Sequence, residues 1–193
     1  MKTFELKGEV RADLGKKSSK AARGAESVPC VLYGGAENVH FTSSASDLRK
    51  LIYSPDVFVV NLEIAGKTCK AIMKALQFHP VTDKVMHIDF LEVSENKPVV
   101  VEIPVKLEGL AEGVKAGGKL ALEMRKLKVK GLYTNVPERI VIDVTSLGLG
   151  KSIQVGNVSV DNLEILNAKN AVVAQVKLTR AARGAAAAAA SKK

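Results

Sequence analysis

The sequence predicts a mainly β protein of two domains followed by a short basic tail. Apolar and polar residues alternate along most of its 193 residues, and this period of two is typical of strands with one face in a core. Of the eight aromatic residues, seven precede Val93 and only Tyr133 follows it. The polar stretch 93–98, which ends in Pro98, therefore marks a boundary between predicted domains at 1–92 and 97–178.

The first domain is expected to be a β-barrel with short helices. Strands are predicted where β-branched and aromatic residues form short or alternating runs. These runs are 3–10, 28–33, 57–64, 70–79 and 85–93. A helix over 18–23 is expected to stop at Gly24, and a second helix begins at Ser44-Ala45-Ser46-Asp47, where a serine is followed three residues later by an acid. Five or six such strands favour a barrel.

The second domain is expected to consist almost entirely of strands, as a sandwich or an open barrel. The predicted strands are 99–107, 127–130, 139–144 and 172–178. Pro104 has no N–H for a strand ladder, which predicts an edge strand or a bulge. The stretch 113–118 is glycine-rich but lacks the Gly-Lys-Ser/Thr ending of a phosphate loop, so a tight turn is predicted there.

The formal net charge of +9 is concentrated in two short segments. Residues 11–23 carry five bases and one acid, and residues 179–193 carry four bases, six consecutive alanines and no acid. Segment 179–193 is interpreted as a mobile basic tail, because it has no hydrophobic period with which to bury a core. A basic balance favours a polyanionic partner. Segment 11–23 lacks the bulky apolar face of a membrane-binding helix, so it suits phosphate contact better, with a merely solvated loop as the alternative.

A second candidate surface lies on the hairpin formed by the last two strands of the first domain. Alternation places Gln77 and His79 on one face of the first strand, and His87 and Asp89 on the corresponding face of the second. Such groups can read base edges and 2′-hydroxyls in an RNA minor groove. Asp89 is repelled by phosphates, so its predicted role is to accept a base proton or to hold a neighbouring base or imidazole.

Other functions remain open on the residues alone. His87 and Asp89 fit a metal site weakly, because no third ligand has suitable spacing. A thiol hydrolase would need Cys30 or Cys69 as nucleophile, and neither has a recognisable nucleophile setting. An ordinary solvated strand face is the simplest alternative. No apolar run approaches the ~20 residues of a membrane span, and neither a secretory leader nor a disulfide scaffold is recognisable. A reduced, cytoplasmic protein is therefore expected.

An ordered series of motifs resembles one protein family over residues 3–178. It comprises Arg11-x-x-x-Gly15-Lys16, Ser19-Lys20-x-x-Arg23, Val28-Pro29-x-Val31-Leu32-Tyr33-Gly34, Gln77-x-His79-Pro80-Val81, His87-Ile88-Asp89-Phe90, Glu112-Gly113-Val114-Lys115-x-Gly117-Gly118, Val136-Pro137-Glu138 and Leu149-Gly150-Lys151-Ser152-Ile153. The series resembles the bacterial large-subunit ribosomal proteins that bind 5S rRNA, in the long two-domain form related to the general stress protein CTC.

This resemblance implies a non-enzymatic, ribosome-associated protein whose first domain is a six-stranded barrel that docks on the irregular internal-loop helix of 5S rRNA. Neighbouring ribosomal proteins are the other expected partners, with no cofactor, metal, membrane or small-molecule substrate. The implied RNA contacts are Arg11, Lys16, Ser19, Lys20, Arg23, Tyr33, Gln77, His79, His87 and Asp89.

Two departures from the family pattern put the affinity for RNA in doubt. Lys20-Ala21-Ala22-Arg23 has one base fewer than is usual, and Phe78 replaces an arginine. Phe78 is expected either to stack on RNA or to join the core. A stress-induced protein whose second domain binds a protein partner is the alternative function.

Overall fold

The computed structural model describes residues 1–35 and 37–180 and divides the chain into two compact units. The first comprises Met1–Val99 together with Leu132–Val136, and the second comprises the remaining described residues. Apart from its first two residues, the predicted basic tail lies outside the described residues.

One short segment of the first unit comes from far along the chain. Residues Leu132–Val136 belong to this unit, whereas the sequence-based boundaries of 1–92 and 97–178 place them in the second domain. Within the segment, Tyr133 is buried, and its hydroxyl donates to a carboxylate oxygen of Glu95 at 3.4 Å. A break in sequence composition does not reveal that the chain returns to the first unit here, because the returning segment has only five residues.

The first unit is a closed barrel of six strands in the order β1-β3-β2-β6-β5-β4, which confirms the predicted fold class. The strands are β1 (Lys2–Val10), β2 (Ser27–Tyr33), β3 (Val39–Ser44), β4 (Phe58–Ile64), β5 (Lys67–Phe78) and β6 (Val85–Glu92). Strand β1 runs parallel to β4, and β2 runs parallel to β6, whereas the other neighbours are antiparallel. Two pairs of strands distant in sequence thus close the barrel.

Strand β3 is the barrel strand that the sequence analysis did not predict. It presents only Phe41 as a large buried side chain, and the other fully buried position in it is Ser43. The Ser43 hydroxyl is satisfied because it donates to the Lys7 carbonyl oxygen at 3.0 Å. A small polar residue at an inward position weakens the hydrophobic alternation by which strands are recognised.

Two helices accompany the barrel strands. Helix α1 spans Lys16–Gly24 and so begins two residues before the predicted start. Helix α2 spans Ala45–Ile52, as the cap signal predicts, and the Ser44 hydroxyl accepts a hydrogen bond from the Ser46 N–H at 3.3 Å. This contact satisfies one of the backbone donors left free at a helix start.

The barrel core is built from the inward residues of all six strands and from α2. Phe41 and Phe90 are fully buried at its centre, with ring centroids 5.8 Å apart. Gly8 lies against the Phe41 ring, where a Cβ atom would collide with it. Each fully buried aliphatic or aromatic side chain contributes about 1.5–3 kcal/mol relative to exposure. The core therefore holds the outer faces of the strands in fixed positions.

The second unit consists of two open sheets, with strand orders β10-β7-β9-β12 and β11-β13-β8. Its elements are β7 (Val99–Glu108), α3 (Glu112–Lys115), β8 (Lys119–Leu122), β9 (Lys126–Gly131), β10 (Ile140–Asp143), β11 (Ser152–Gln154), β12 (Glu164–Ile165) and β13 (Val172–Lys177). Of the two alternatives predicted at Pro104, an edge strand or a bulge, the edge strand is wrong, because β7 lies between β10 and β9. Pro104 is tolerated because the parallel ladder with β10 begins only at Val105.

The predicted tight turn at residues 113–118 contains a short helix. Helix α3 covers the start of this stretch, and Gly117 then reverses the chain with a φ of 86°, a conformation that favours glycine. Gly113 is buried against the backbone of Gly148 and Leu149, where a Cβ atom would collide with backbone atoms. The glycines of this stretch thus permit a turn and a close approach of two backbone segments.

Candidate nucleic-acid interface

Three polar side chains meet on the outer face of the β5–β6 hairpin. Gln77 lies directly opposite His87 in the ladder, and Ala75 lies opposite Asp89. Ile88 and Phe90 alternate with the two polar residues of β6 and are fully buried in the core. Strand alternation therefore directs His87 and Asp89 outward, beside the exposed Gln77.

His87 and Asp89 lie in close contact on this face. Nδ1 of His87 lies 2.7 Å from Oδ1 of Asp89, and each side chain is 29% exposed. A carboxylate oxygen this close to Nδ1 favours a proton on that nitrogen, and hence the tautomer with an unprotonated Nε2 when the ring is neutral. The pair thus holds the imidazole in one orientation and leaves its Nε2 available as an acceptor.

Tyr33 extends the same face onto strand β2. The parallel β2–β6 ladder pairs Val31 with Asp89 and Tyr33 with Leu91, so Tyr33 and Asp89 point to the same side of the sheet. Burial and the negative charge of Asp89 both raise the pKa of the Tyr33 hydroxyl. The tyrosine therefore remains a neutral hydrogen-bond donor next to a carboxylate.

Cys30 lies on the inner side of β2 and is chemically protected. Burial, followed by the charge of Asp89, raises the pKa of its thiol to about 12, whereas the charge of Arg11 acts in the opposite direction. At neutral pH this thiol is protonated, and a thiol is a far weaker nucleophile than a thiolate. These properties argue against Cys30 as a catalytic nucleophile. Within residues 1–35 and 37–180, no group of three or more His, Cys, Asp or Glu side chains could hold a metal ion.

Helix α1 is attached to the barrel by polar contacts, since none of its residues is fully buried. The Nη2 atom of Arg11 donates to the hydroxyl oxygens of Ser18 at 3.1 Å and Ser19 at 3.2 Å. It also donates to the carbonyl oxygen of Asp13 at 3.3 Å, which in turn accepts from the Ser18 hydroxyl at 2.9 Å. Arg11 thereby joins the end of β1 to the first turn of α1.

The other end of α1 is joined to the hairpin. The Nε atom of Arg23 donates to the Met86 carbonyl oxygen at 3.1 Å, immediately before His87 in β6. This contact brings together the two surfaces that the sequence analysis treated separately, the basic segment and the polar hairpin face. Two of the predicted RNA contacts, Arg11 and Arg23, thus make hydrogen bonds within the protein.

The lysines of α1 have a different environment. Lys16, Lys17 and Lys20 are exposed, and within the described part of the chain their side chains make no hydrogen bond or ion pair. In contrast, the residues of α1 that are partly covered are Ser18, Ser19, Ala22 and Arg23. The helix therefore packs its small and hydrogen-bonding residues against the barrel and presents its ammonium groups to solvent. Lys17 shares this property, although the resemblance did not single it out.

His79 lies in a different place from its sequence-based position on the strand face. Strand β5 ends at Phe78, and His79 begins the turn at the tip of the hairpin. Its Nδ1 accepts hydrogen bonds from the backbone N–H groups of Val81 at 3.3 Å and Thr82 at 3.2 Å. The neighbouring Phe78 is 44% exposed, which rules out a fully buried core position for this residue.

Comparison with known proteins identifies the family. The model described as the Ribosomal L25p family matches residues 6–90, and the model described as Ribosomal protein TL5, C-terminal domain, matches residues 98–180. The large ribosomal subunit protein bL25 of Azobacteroides pseudotrichonymphae is 64% identical over 184 residues, which cover 95% of this chain and 97% of that protein. The chain belongs to the ribosomal L25p family.

Further relatives match over nearly their whole length. The bL25 protein of Porphyromonas gingivalis is 60% identical, with 96% of this chain and 98% of that protein covered. The bL25 protein of Phocaeicola vulgatus is 57% identical, with 97% of this chain and 98% of that protein covered. This membership confirms the predicted family in its two-domain form, and with it a structural, non-enzymatic role in association with the large ribosomal subunit. No helix in the described ranges is long and apolar enough to cross a membrane.

Proposed function

We propose that the barrel binds 5S rRNA at its irregular internal-loop helix, with α1 on the phosphates and the hairpin face in the groove. The observation that carries this proposal is the Arg23–Met86 hydrogen bond, because it joins the free lysines of α1 to the strand that bears His87 and Asp89. One surface then offers cations and base-reading groups side by side. The resemblance of the motifs and the membership in a ribosomal family support 5S rRNA as the ligand.

Helix α1 supplies the part of the interface that is independent of sequence. Lys16 and Lys20 are one helical turn apart and lie on the same side of the helix. Each phosphate that such an ammonium group neutralises releases a counterion, so binding weakens as the salt concentration rises. Arg11, Ser19 and Arg23 contribute by holding α1 in place, and their unused N–H and O–H groups remain available for phosphate oxygens.

The hairpin face supplies selectivity. The Gln77 amide offers donors and an acceptor, the His87 Nε2 offers an acceptor, and Asp89 offers a carboxylate oxygen for a base amino or imino proton. An irregular RNA helix exposes base edges that a regular A-form major groove hides. Tyr33 adds a neutral hydroxyl donor to this face. A carboxylate is repelled by phosphates, so its presence favours a base-reading role for the hairpin.

The charges of the second unit are arranged differently. Several of its exposed lysines lie close to glutamates: Lys106 to Glu108 at 2.9 Å, Lys128 to Glu102 at 3.7 Å and Lys177 to Glu123 at 2.7 Å. The ion pair and hydrogen bonds at Glu123 lower the pKa of its carboxyl group. Such compensation reduces the attraction for a polyanion, which supports the assignment of RNA binding to the barrel.

Removal of the His87–Asp89 pair tests the proposed division of roles. In the full chain, His87→Ala with Asp89→Ala is expected to weaken binding to 5S rRNA about 10- to 100-fold, because base-reading groups are lost. Binding to a regular RNA duplex of equal length should not weaken, since the change removes a negative charge. Gel-shift titrations of both RNAs measure the difference.

The matched control is Asn61→Ala with Glu63→Ala, which removes one polar and one acidic side chain, two positions apart, from the outer face of β4. This control is expected to bind both RNAs as the wild type does. Lys16→Ala should instead weaken binding to both RNAs and reduce the dependence of log K on log salt concentration by about one unit. Equal losses on both RNAs for the His87 and Asp89 variant would contradict the base-reading role.

A further inference from the structure

We propose that His79 is a positioning residue, which holds the tip of the β5–β6 hairpin in the conformation that binds RNA and does not itself contact the RNA. The inference rests on the proposed function and concerns the same surface. It assigns a different role to a residue for which the family resemblance implies a direct contact. Its basis is the hydrogen bonding of the turn between β5 and β6.

The backbone of the hairpin tip forms one turn of helix. The Asp83 N–H donates to the His79 carbonyl oxygen at 3.0 Å, which is the spacing of four residues found in an α-helix. The His79 N–H donates to the Lys84 carbonyl oxygen at 2.8 Å and closes the loop. Asp83 has a φ of 52°, a left-handed conformation that reverses the chain after this turn. His79 thus occupies the N-cap position, and Pro80 occupies the first position of the turn.

The His79 side chain completes this cap. Its Nδ1 accepts from the N–H groups of Val81 and Thr82, which are the second and third positions of the turn. Those N–H groups are the ones that an N-cap side chain normally satisfies. Pro80 has no N–H and needs no acceptor. With Nδ1 engaged as an acceptor, the ring proton lies on Nε2.

The cap bears on RNA binding because the hairpin ladder is irregular near its tip. Gln77 pairs with His87, but the next pair joins Phe78 to Val85 and leaves Met86 without an opposite residue. At such an irregularity the register is set by the geometry of the turn. Fraying of the tip would therefore disturb the placement of Gln77 beside His87. The Arg23 contact to the Met86 carbonyl oxygen lies at this same point.

Two substitutions separate positioning from direct contact. In His79→Asn, the Oδ1 atom is as many bonds from Cα as Nδ1 of histidine is, and asparagine is among the best N-cap residues. In His79→Gln, the longer side chain places its amide near the position of Nε2 and loses the local acceptor. If His79 acts through the turn, the asparagine variant retains affinity for 5S rRNA within about twofold, whereas the glutamine variant loses about tenfold.

The measurements are gel-shift titrations of the full chain with 5S rRNA and a regular duplex, together with amide hydrogen exchange at Val81 and Thr82. The cap predicts slow exchange of these amides in the wild type and in His79→Asn, and faster exchange in His79→Gln. Asn61→Gln is the matched control, because it lengthens an amide side chain on the outer face of β4, outside the hairpin, and it is expected to bind as the wild type does.

Several results would overturn the proposal. Retained affinity in His79→Gln with a loss in His79→Asn would assign a direct RNA contact to Nε2, and equal affinities of the two variants would show that the cap does not govern binding. Equal binding of the wild type to both RNAs would instead contradict the proposed function itself. The amide exchange then still reports whether the cap forms, so the two failures are distinguishable.

Discussion

The two helices of the barrel are attached to it in opposite ways. Helix α2 buries Leu48 and Leu51 in the core, whereas α1 buries no residue fully and is held by hydrogen bonds from Arg11 and Arg23. Helix α2 has an acid in its first turn and bases in its last turn, an arrangement that favours the helix dipole. In α1 the first turn has no acid, and two adjacent lysines begin the helix.

This difference separates a helix that stabilises the barrel from a helix that we propose to bind RNA. Apolar burial fixes α2 independently of any ligand. The polar attachment of α1 contributes less to stability. It leaves one side of the helix without apolar contacts to the core, and the lysines occupy that side. The repulsion among these lysines weakens the isolated protein, and a polyanion that binds there relieves it. The helix that is expected to bind RNA, α1, is therefore the less stable of the two.

The largest effect is expected from the apolar anchor of α2. Leu48→Ala should lower the free energy of unfolding of the barrel by about 2–5 kcal/mol, because a fully buried side chain leaves a cavity in the core. Leu14→Ala, at the 59%-exposed leucine before α1, is the matched control and should change it by less than about 0.5 kcal/mol. Urea unfolding followed by circular dichroism measures both. Similar losses for the two leucines would remove the contrast between the helices.

A smaller and local effect is expected from the polar anchor of α1. Arg23→Ala removes the hydrogen bond to the Met86 carbonyl oxygen, and a partly exposed charged bond of this kind contributes about 1 kcal/mol. Amide exchange should therefore become several-fold faster in α1 and remain unchanged in β4. Arg49→Ala on the exposed side of α2 is the control and should alter neither element. A uniform acceleration across the barrel would show that α1 is not an independently opening segment.

The smallest effect on stability is expected from the free lysines. Lys20→Ala lies on the exposed side of α1 and introduces the best helix former, so the unfolding midpoint should move little. Affinity for 5S rRNA should nevertheless fall, and the salt dependence of log K should decrease by about one unit. Lys50→Ala makes the same change on the exposed side of α2 and should leave the salt dependence as it is. Equal decreases for the two lysines would mean that only the overall charge attracts RNA.

Much of the barrel follows from local patterns in the chain. Alternation revealed five of its strands, the serine signal located α2, and the helical stretch that stops at Gly24 located α1. The same alternation put Gln77 on the face that His87 and Asp89 share. Strand β3 was missed because an inward serine interrupts its apolar pattern. His79 was placed on the strand because alternation contains no information on where a ladder ends and a turn takes over.

Local patterns and composition thus establish that this chain forms strands, two short helices and two clusters of charge, because each depends on residues close in sequence. The joining of the basic segment 11–23 to the polar hairpin face depends on contacts between distant residues: Arg23 reaches Met86 across 63 positions, and the parallel pairing of β2 with β6 brings Tyr33 near Asp89. Strand periodicity determines which side of a strand a residue occupies but not which strand lies beside it. The closed barrel alone decides that neighbour, and with it the combination of the α1 lysines and the polar hairpin side chains on one surface.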